Sequence, residues 1–169
     1  MAMAVIVMGP SGVGKTTTAK GLAERLGWRF AEADEFHPPA NIAKMSSGIP
    51  LDDSDRAPWL ADIRDWISAR SAEGVDTVLT CSALKRRYRD VLREASADVR
   101  FVELVVSAEI VGERLAKRRG HYMPPSLLAS QFAALEALTA DEPGVKVTVD
   151  APPETIVARA LEALSLTAG

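Results

Sequence analysis

Eight residues, Gly9-Pro10-Ser11-Gly12-Val13-Gly14-Lys15-Thr16, follow the pattern G-x-x-x-x-G-K-[ST] directly behind the apolar run Ala4-Val5-Ile6-Val7-Met8. Each residue type in that pattern has a physical reason. Glycine lets the backbone take positive φ and pass close to a ligand with no Cβ in the way. Such a loop turns successive N–H groups inward as a nest for an anion. The helix expected to start near Lys15 adds the positive end of its dipole. Lys15 has the reach to meet the outer phosphates of a nucleoside triphosphate, and the Thr16 hydroxyl suits the Mg²⁺ ion that neutralises them. The stretch Gly9–Thr17 is therefore expected to hold ATP, with Thr16 as the metal ligand.

A triphosphate site needs something to receive the phosphate. The segment Ala33-Asp34-Glu35-Phe36-His37 is dense in polar groups at the end of an expected strand. Asp34, the first residue past that strand, would stand across the cleft from the γ-phosphate. There it could orient a substrate hydroxyl and accept its proton, or simply cap a turn. His37 could donate to substrate oxygens or sit in solvent ahead of Pro38-Pro39. Lys44 and Arg56 flank Asp52-Asp53-Ser54-Asp55. Fixed cations suit an anionic substrate, Arg especially through paired donors to a carboxylate; the alternative is ordinary surface charge. Ser54 or Asp55 is expected to cap the helix that carries Arg56.

A second strand end leads into Cys81-Ser82-Ala83-Leu84-Lys85-Arg86-Arg87-Tyr88-Arg89-Asp90. Ser82, Lys85 and backbone N–H groups of this helix start would lie beside the cleft. Arg86, Arg87 and Arg89 cannot all face inward, so most should face solvent. Cys81 closes an apolar run without a partner base and reads as a small buried hydrophobe. The preceding strand, Val78-Leu79-Thr80-Cys81, lacks the terminal Asp that many phosphate-loop proteins use to hold Mg²⁺. Thr16, with Asp34 directly or through water, must then serve the metal.

Arg114 and Arg118 are spaced to share one helix face, and Arg119-Gly120-His121-Tyr122-Met123 follow. Arginines here could stack on adenine, stabilise charge on the transferring phosphoryl, or only complement the helix dipole. Gly120 would serve as the hinge of a cover over about 118–125 that keeps water from competing as acceptor.

The elements that must position these groups alternate along the chain. Strands are expected at Ala4–Met8, Trp28–Ala33, Thr77–Cys81, Arg100–Val106 and Val145–Val149. Helices are expected at Thr16–Leu26, Arg56–Ala72, Lys85–Glu94, Ala108–Arg118, Ser126–Leu138 and Glu154–Leu166. That alternation predicts a parallel five-stranded sheet between two helical layers, with ligands at the carboxyl ends of the strands. His37–Asp55, rich in Pro, Gly and Asp, reads as an excursion over that edge. With 169 residues the chain suits one domain. Its net charge of −3 leaves no footprint for nucleic acid or an anionic membrane. No apolar run nears the about 18 residues of a membrane span, and the N-terminus does not read as a signal peptide. One cysteine excludes an intrachain disulfide and agrees with a reducing cytoplasm.

Taken together, the sequence resembles the bacterial-type gluconate kinases (gluconokinases), small relatives of shikimate and adenylate kinases. The resemblance is carried by Gly9–Thr16, His37-Pro38, Asn41-Ile42, Lys44-Met45, Asp55-Arg56, Pro58-Trp59-Leu60, Cys81-Ser82-Ala83-Leu84-Lys85, Tyr88-Arg89-Asp90, Gly120-His121 and Ser130-Gln131. It implies a P-loop NTPase fold and ATP-dependent phosphorylation of D-gluconate at its 6-hydroxyl. It further implies a homodimer. A kinase for another small, shikimate-like hydroxy acid is the alternative. Lys15, Asp34 and Arg118 would then be catalytic, and Arg114 and Arg118 would join Gly9–Thr17 on the nucleotide. Asp34, His37, Lys44, Arg56, Ser82, Lys85, His121 and Gln131 would hold the acceptor. Three departures stand out: Ala33 where the family often has Gly, Tyr122 for Phe, and Leu138 near a common Pro.

Overall fold

Five strands form the sheet, the inner ones rich in Val, Ile and Leu: β1 Met3–Met8, β2 Arg29–Glu32, β3 Thr77–Thr80, β4 Asp98–Val105 and β5 Gly144–Thr148. The structure is a computed structural model that describes residues 1–10, 12–106, 131 and 133–166. Every strand pairing is parallel, in the order β2-β3-β1-β4-β5. Among the described residues the helices are α1 Lys15–Leu26, α2 Pro39–Ser46, α3 Asp53–Ala72, α4 Arg86–Arg93 and α5 Pro153–Ala163. A 3₁₀ turn covers Ala33–Phe36.

β1 shows why the sheet is covered on both sides. Its residues alternate between two cores: Val5 and Val7 pack with Leu22, Ile156 and Leu161, while Ala4, Ile6 and Met8 pack with Trp59, Ile63 and Leu92. A strand with two apolar faces is what a central parallel strand requires. The α1 and α5 layer therefore lies on one face, and the α3 and α4 layer on the other. Each fully buried Ile or Leu in these cores contributes roughly 1.5–3 kcal/mol of transfer free energy.

Local chemistry accounts for the helix ends. Asp52, rather than Ser54, caps α3. Its carboxylate accepts the Asp55 N–H at 2.8 Å, and Asp55 Oδ2 accepts the Asp52 N–H at 3.0 Å. This reciprocal box starts the helix at Asp53, three residues before the Arg56 expected from periodicity. The excursion is also more ordered than its composition suggests. Pro38 and Pro39 open α2 with Pro39 in the first turn, where a missing N–H costs nothing.

Downstream, residues 131, 133 and 134 are helical but 135–139 are not, so the helix expected to reach Leu138 stops earlier. The backbone there is drawn onto the sheet layer. Glu136 N–H donates to Leu84 O at 2.6 Å, and Leu138 N–H donates to the buried carboxylate of Glu103 at 2.8 Å. Helix α5 ends at Ala163 because Ser165 turns left-handed at φ 58. The helix expected at 108–118 and the cover at 118–125 lie outside the described residues. No helix of the described residues is long and apolar enough to cross a membrane.

Candidate functional site

The loop after β1 adopts the backbone its glycines permit. Gly9 sits at φ 143, and a Cβ there would lie 3.0 Å from Val13 Cγ2 and 3.4 Å from the Leu104 carbonyl. Gly14, at φ 98, is the residue from which α1 starts. The Gly9 N–H donates to Ser82 O at 3.3 Å, tying the loop to the segment after β3. Pro10 and Val13 are buried under the loop, Gly12 is partly buried and Thr17 is exposed. Ser11 lies outside the described residues. Lys15 Nζ donates to the Gly9 carbonyl at 2.7 Å, so its ammonium lies across the mouth of its own loop.

Thr16 reveals a residue that sequence reasoning missed. Its hydroxyl donates to Glu32 Oε1 at 2.5 Å. Glu32 is the last residue of β2, two positions before Asp34. The signal that could have found it is the same strand-end placement that selected Asp34. A hydroxyl and a carboxylate oxygen so close form a hard-oxygen donor pair, which suits Mg²⁺ in kind. Among the described residues no cluster of three or more His, Cys, Asp or Glu could hold a metal by itself. A cation here would need phosphate oxygens to complete its shell.

The acceptor side is built on the 3₁₀ turn and α3. Asp34 is partly buried within the turn, and the His37 N–H closes it onto Asp34 O at 3.3 Å. Trp59, fully buried in α3, donates its indole N–H to Ala33 O at 2.7 Å. Its ring also stacks on His37, with centroids 4.1 Å apart and planes 13° from parallel. His37 is buried, not solvated. Burial pushes its pKa down to about 4; Asp34 opposes that shift and Arg56 reinforces it. The ring is therefore neutral at pH 7. Asn41 Nδ2 donates to its Nδ1 at 3.2 Å.

Arg56 reaches Leu51 O at 2.6 Å and Tyr88 Oη at 3.1 Å. Ser82 is followed by Ala83 at φ 43, a left-handed backbone that alanine rarely takes. The Ala83 carbonyl accepts from Arg89 Nη1 at 2.9 Å, which holds this turn in place. Arg89 is fully buried and forms a two-bond pair with buried Glu142, whose carboxyl the guanidinium holds below its usual range. Neighbouring Arg86 and Arg87 face solvent in part, pairing with Asp141 and Asp53. Cys81 is buried and its thiol is pushed up to about 12 by that burial, so it supplies no nucleophile.

These elements converge. Lys15, Asp34, His37, Arg56, Ser82 and Gln131 line one cleft, walled on its apolar side by Met45, Leu51 and Trp59. Two expected acceptor contacts do not line it. Lys44 Nζ pairs with Asp55 at 2.8 Å, and Lys85 Nζ stands 3.9 Å from Asp53 and 5.7 Å from the Tyr88 ring. Arg114, Arg118 and His121 lie outside the described residues.

Comparison with known proteins places this site in context. The family model described as an AAA domain matches residues 5–140. The gluconokinase of Gluconobacter oxydans is 51% identical over 153 residues, covering 90% of this chain and 86% of that one. The structure of a sugar kinase from Janibacter sp. HTCC2649 superposes with a TM-score of 0.94 at 53% identity, covering 98% of this chain and 96% of its own. That of a gluconokinase from Sinorhizobium meliloti 1021 gives a TM-score of 0.86 at 45% identity, with coverages of 96% and 91%.

Proposed function

The chain belongs to the gluconokinase family of phosphate-loop proteins, and from that premise we propose that it transfers the γ-phosphoryl group of ATP to the 6-hydroxyl of D-gluconate. The products would be 6-phosphogluconate and ADP. One observation carries the reading: the loop lysine, Lys15, shares a cleft with Asp34, His37, Arg56, Ser82 and Gln131. A phosphate donor and a polyhydroxy acid can meet there.

Each residue has a distinct task in this reading. The N–H groups of the loop and α1 cradle the phosphates, and Lys15 neutralises charge on the group in flight. Asp34 orients the 6-hydroxyl and takes its proton as the new O–P bond forms and the bond to ADP breaks. Arg56 stands ready for the carboxylate, while His37, Ser82 and Gln131 hold hydroxyls. Mg²⁺, when bound, supplies charge neutralisation across the outer phosphates; Thr16, with Glu32 behind it, would hold it. Lys44 and Lys85 stand outside this cleft, beside Asp55 and Asp53. Arg118 and His121 belong to the cover over 118–125 and Arg114 to the helix leading into it, and the cover closes a single domain spanning 1–169. We further infer a homodimer, from the resemblance, and a cytoplasmic location, from the single cysteine.

A coupled assay of ADP release over gluconate, shikimate, nucleoside monophosphates and related sugar acids tests the reading. Turnover of gluconate above the rest is the expected result. Turnover of another acceptor without gluconate would overturn it.

A further inference from the structure

The acceptor side of the cleft is governed by a hydrogen-bond relay that starts behind it. Asn41, near the start of α2, is buried at 3% exposure. Its Nδ2 lies 2.9 Å from the backbone carbonyl oxygen of Asp55 and 3.2 Å from Nδ1 of His37. A carbonyl oxygen only accepts, so the atom facing it must be the amide nitrogen. The orientation of the Asn41 amide is thereby settled by the backbone. That nitrogen carries two hydrogens. One goes to Asp55, and the other points at His37.

His37 Nδ1 must then be the bare, accepting nitrogen. A neutral imidazole carries one ring proton, which is left on Nε2. Protonation of both nitrogens would set the Nδ1–H against the Asn41 N–H, two donors face to face. The charged groups around the ring are Asp34 and Arg56; burial, reinforced by Arg56, outweighs Asp34 and keeps the ring neutral. Trp59 holds the ring plane by stacking. Among the described residues Nε2 has no protein partner, although His37 is buried at 9% exposure and lines the cleft. Its N–H is therefore available to an oxygen bound in the cleft.

We propose that Asn41 is a positioning residue that locks His37 as its Nε2–H tautomer, so that the cleft presents a neutral N–H donor to a hydroxyl or carboxylate oxygen of the substrate. Asp34 beside it offers only acceptors. The pair forms a donor-and-acceptor clamp that reads oxygen functions of a polyhydroxy acid. The substrate half rests on the gluconate reading; the tautomer half does not.

The chain contains two histidines, His37 and His121, so long-range proton–nitrogen correlation on histidine-labelled protein resolves each ring, and His37→Gln assigns them. In the unliganded wild type we expect His37 as the Nε2–H form, held from about pH 8 down to about pH 5.5. Asn41→Asp puts an acceptor opposite Nδ1 and should move the proton there or protonate both nitrogens. A wild-type ring found as Nδ1–H, or as a mixture of tautomers, overturns the lock, whatever the variants do. In kinetics, Asn41→Asp should raise the gluconate KM by about tenfold or more while the ATP KM moves little. An unchanged gluconate KM with a shifted tautomer overturns the substrate half. If the wild type turns over no gluconate, the functional reading fails while the nitrogen spectra still decide the tautomer.

Discussion

Trp59 donates its indole N–H to the carbonyl of Ala33, the residue immediately before Asp34, at 2.7 Å. One α3 side chain thus fixes the turn that carries Asp34, and by stacking on His37 it fixes the ring beside it. Trp59→Phe keeps an aromatic face under His37 but removes the donor. We expect a loss of about 1–3 kcal/mol in stability, the usual cost of leaving a buried carbonyl short of a partner. Activity should fall with it, because Asp34 loses its anchor. Urea unfolding and gluconate kinetics on the same preparation check both; unchanged kcat would detach Asp34 from this anchor.

Lys15 lies on the cleft side of the loop with its ammonium on Gly9 O. Lys15→Ala should lower kcat/KM by several kcal/mol of transition-state stabilisation, about 3 kcal/mol or roughly a hundredfold at least. Circular dichroism should show the fold intact, since the side chain is only partly buried. Wild-type kcat/KM in that variant would remove Lys15 from the chemistry.

How much of this was legible beforehand depends on the distance over which the signal acts. The β1 run and the loop behind it are one contiguous pattern, and Asp34 and Ser82 follow strand ends that periodicity locates. Pairings across the sheet carry no such local mark. Thr16 meets Glu32 only because parallel pairing brings the end of β2 beside the loop. Arg89 reads as a surface cation among three others, yet its partner Glu142 waits 53 residues away and takes it into the core. Lys44 reads as available for substrate because its partner Asp55, 11 residues on, carries only the local mark of a helix cap. The α2 helix hid behind Pro38-Pro39, which mark a turn as readily as a helix start.

Asp34→Asn keeps the size and one acceptor oxygen but cannot take a proton. The expected result is a large fall in kcat, about 10²-fold or more, with the ATP KM nearly unchanged. A change confined to the gluconate KM would assign Asp34 to holding the acceptor instead.

The contact between Thr16 and Glu32 makes a prediction about metal. Glu32→Gln preserves a hydrogen bond to the Thr16 hydroxyl but removes the negative charge. The Mg²⁺ concentration for half-maximal activity should rise several-fold, while kcat at saturating Mg²⁺ falls less. Titrating activity against Mg²⁺ at fixed ATP separates the two effects. An unshifted midpoint would make Glu32 a structural partner of Thr16 only.

Acid sensitivity should carry the mark of His37. Its pKa is about 4 in the folded protein against 6.5 ordinarily, with burial as the main cause. Between those values the unfolded chain holds more protons than the folded one, so stability rises with pH across that window. The neutral ring therefore costs nothing above about pH 6.5, and its penalty grows as pH falls toward 4. The full effect is at most about 3 kcal/mol, and solvent screening reduces it. Urea unfolding of wild type and His37→Gln from about pH 7 to about pH 5 isolates this residue, because other titrating groups are common to both. The variant should lose stability less steeply with acid. Parallel slopes would mean that His37 titrates normally in the folded state, and that neither its burial against Trp59 nor its contact with Asn41 holds the ring neutral.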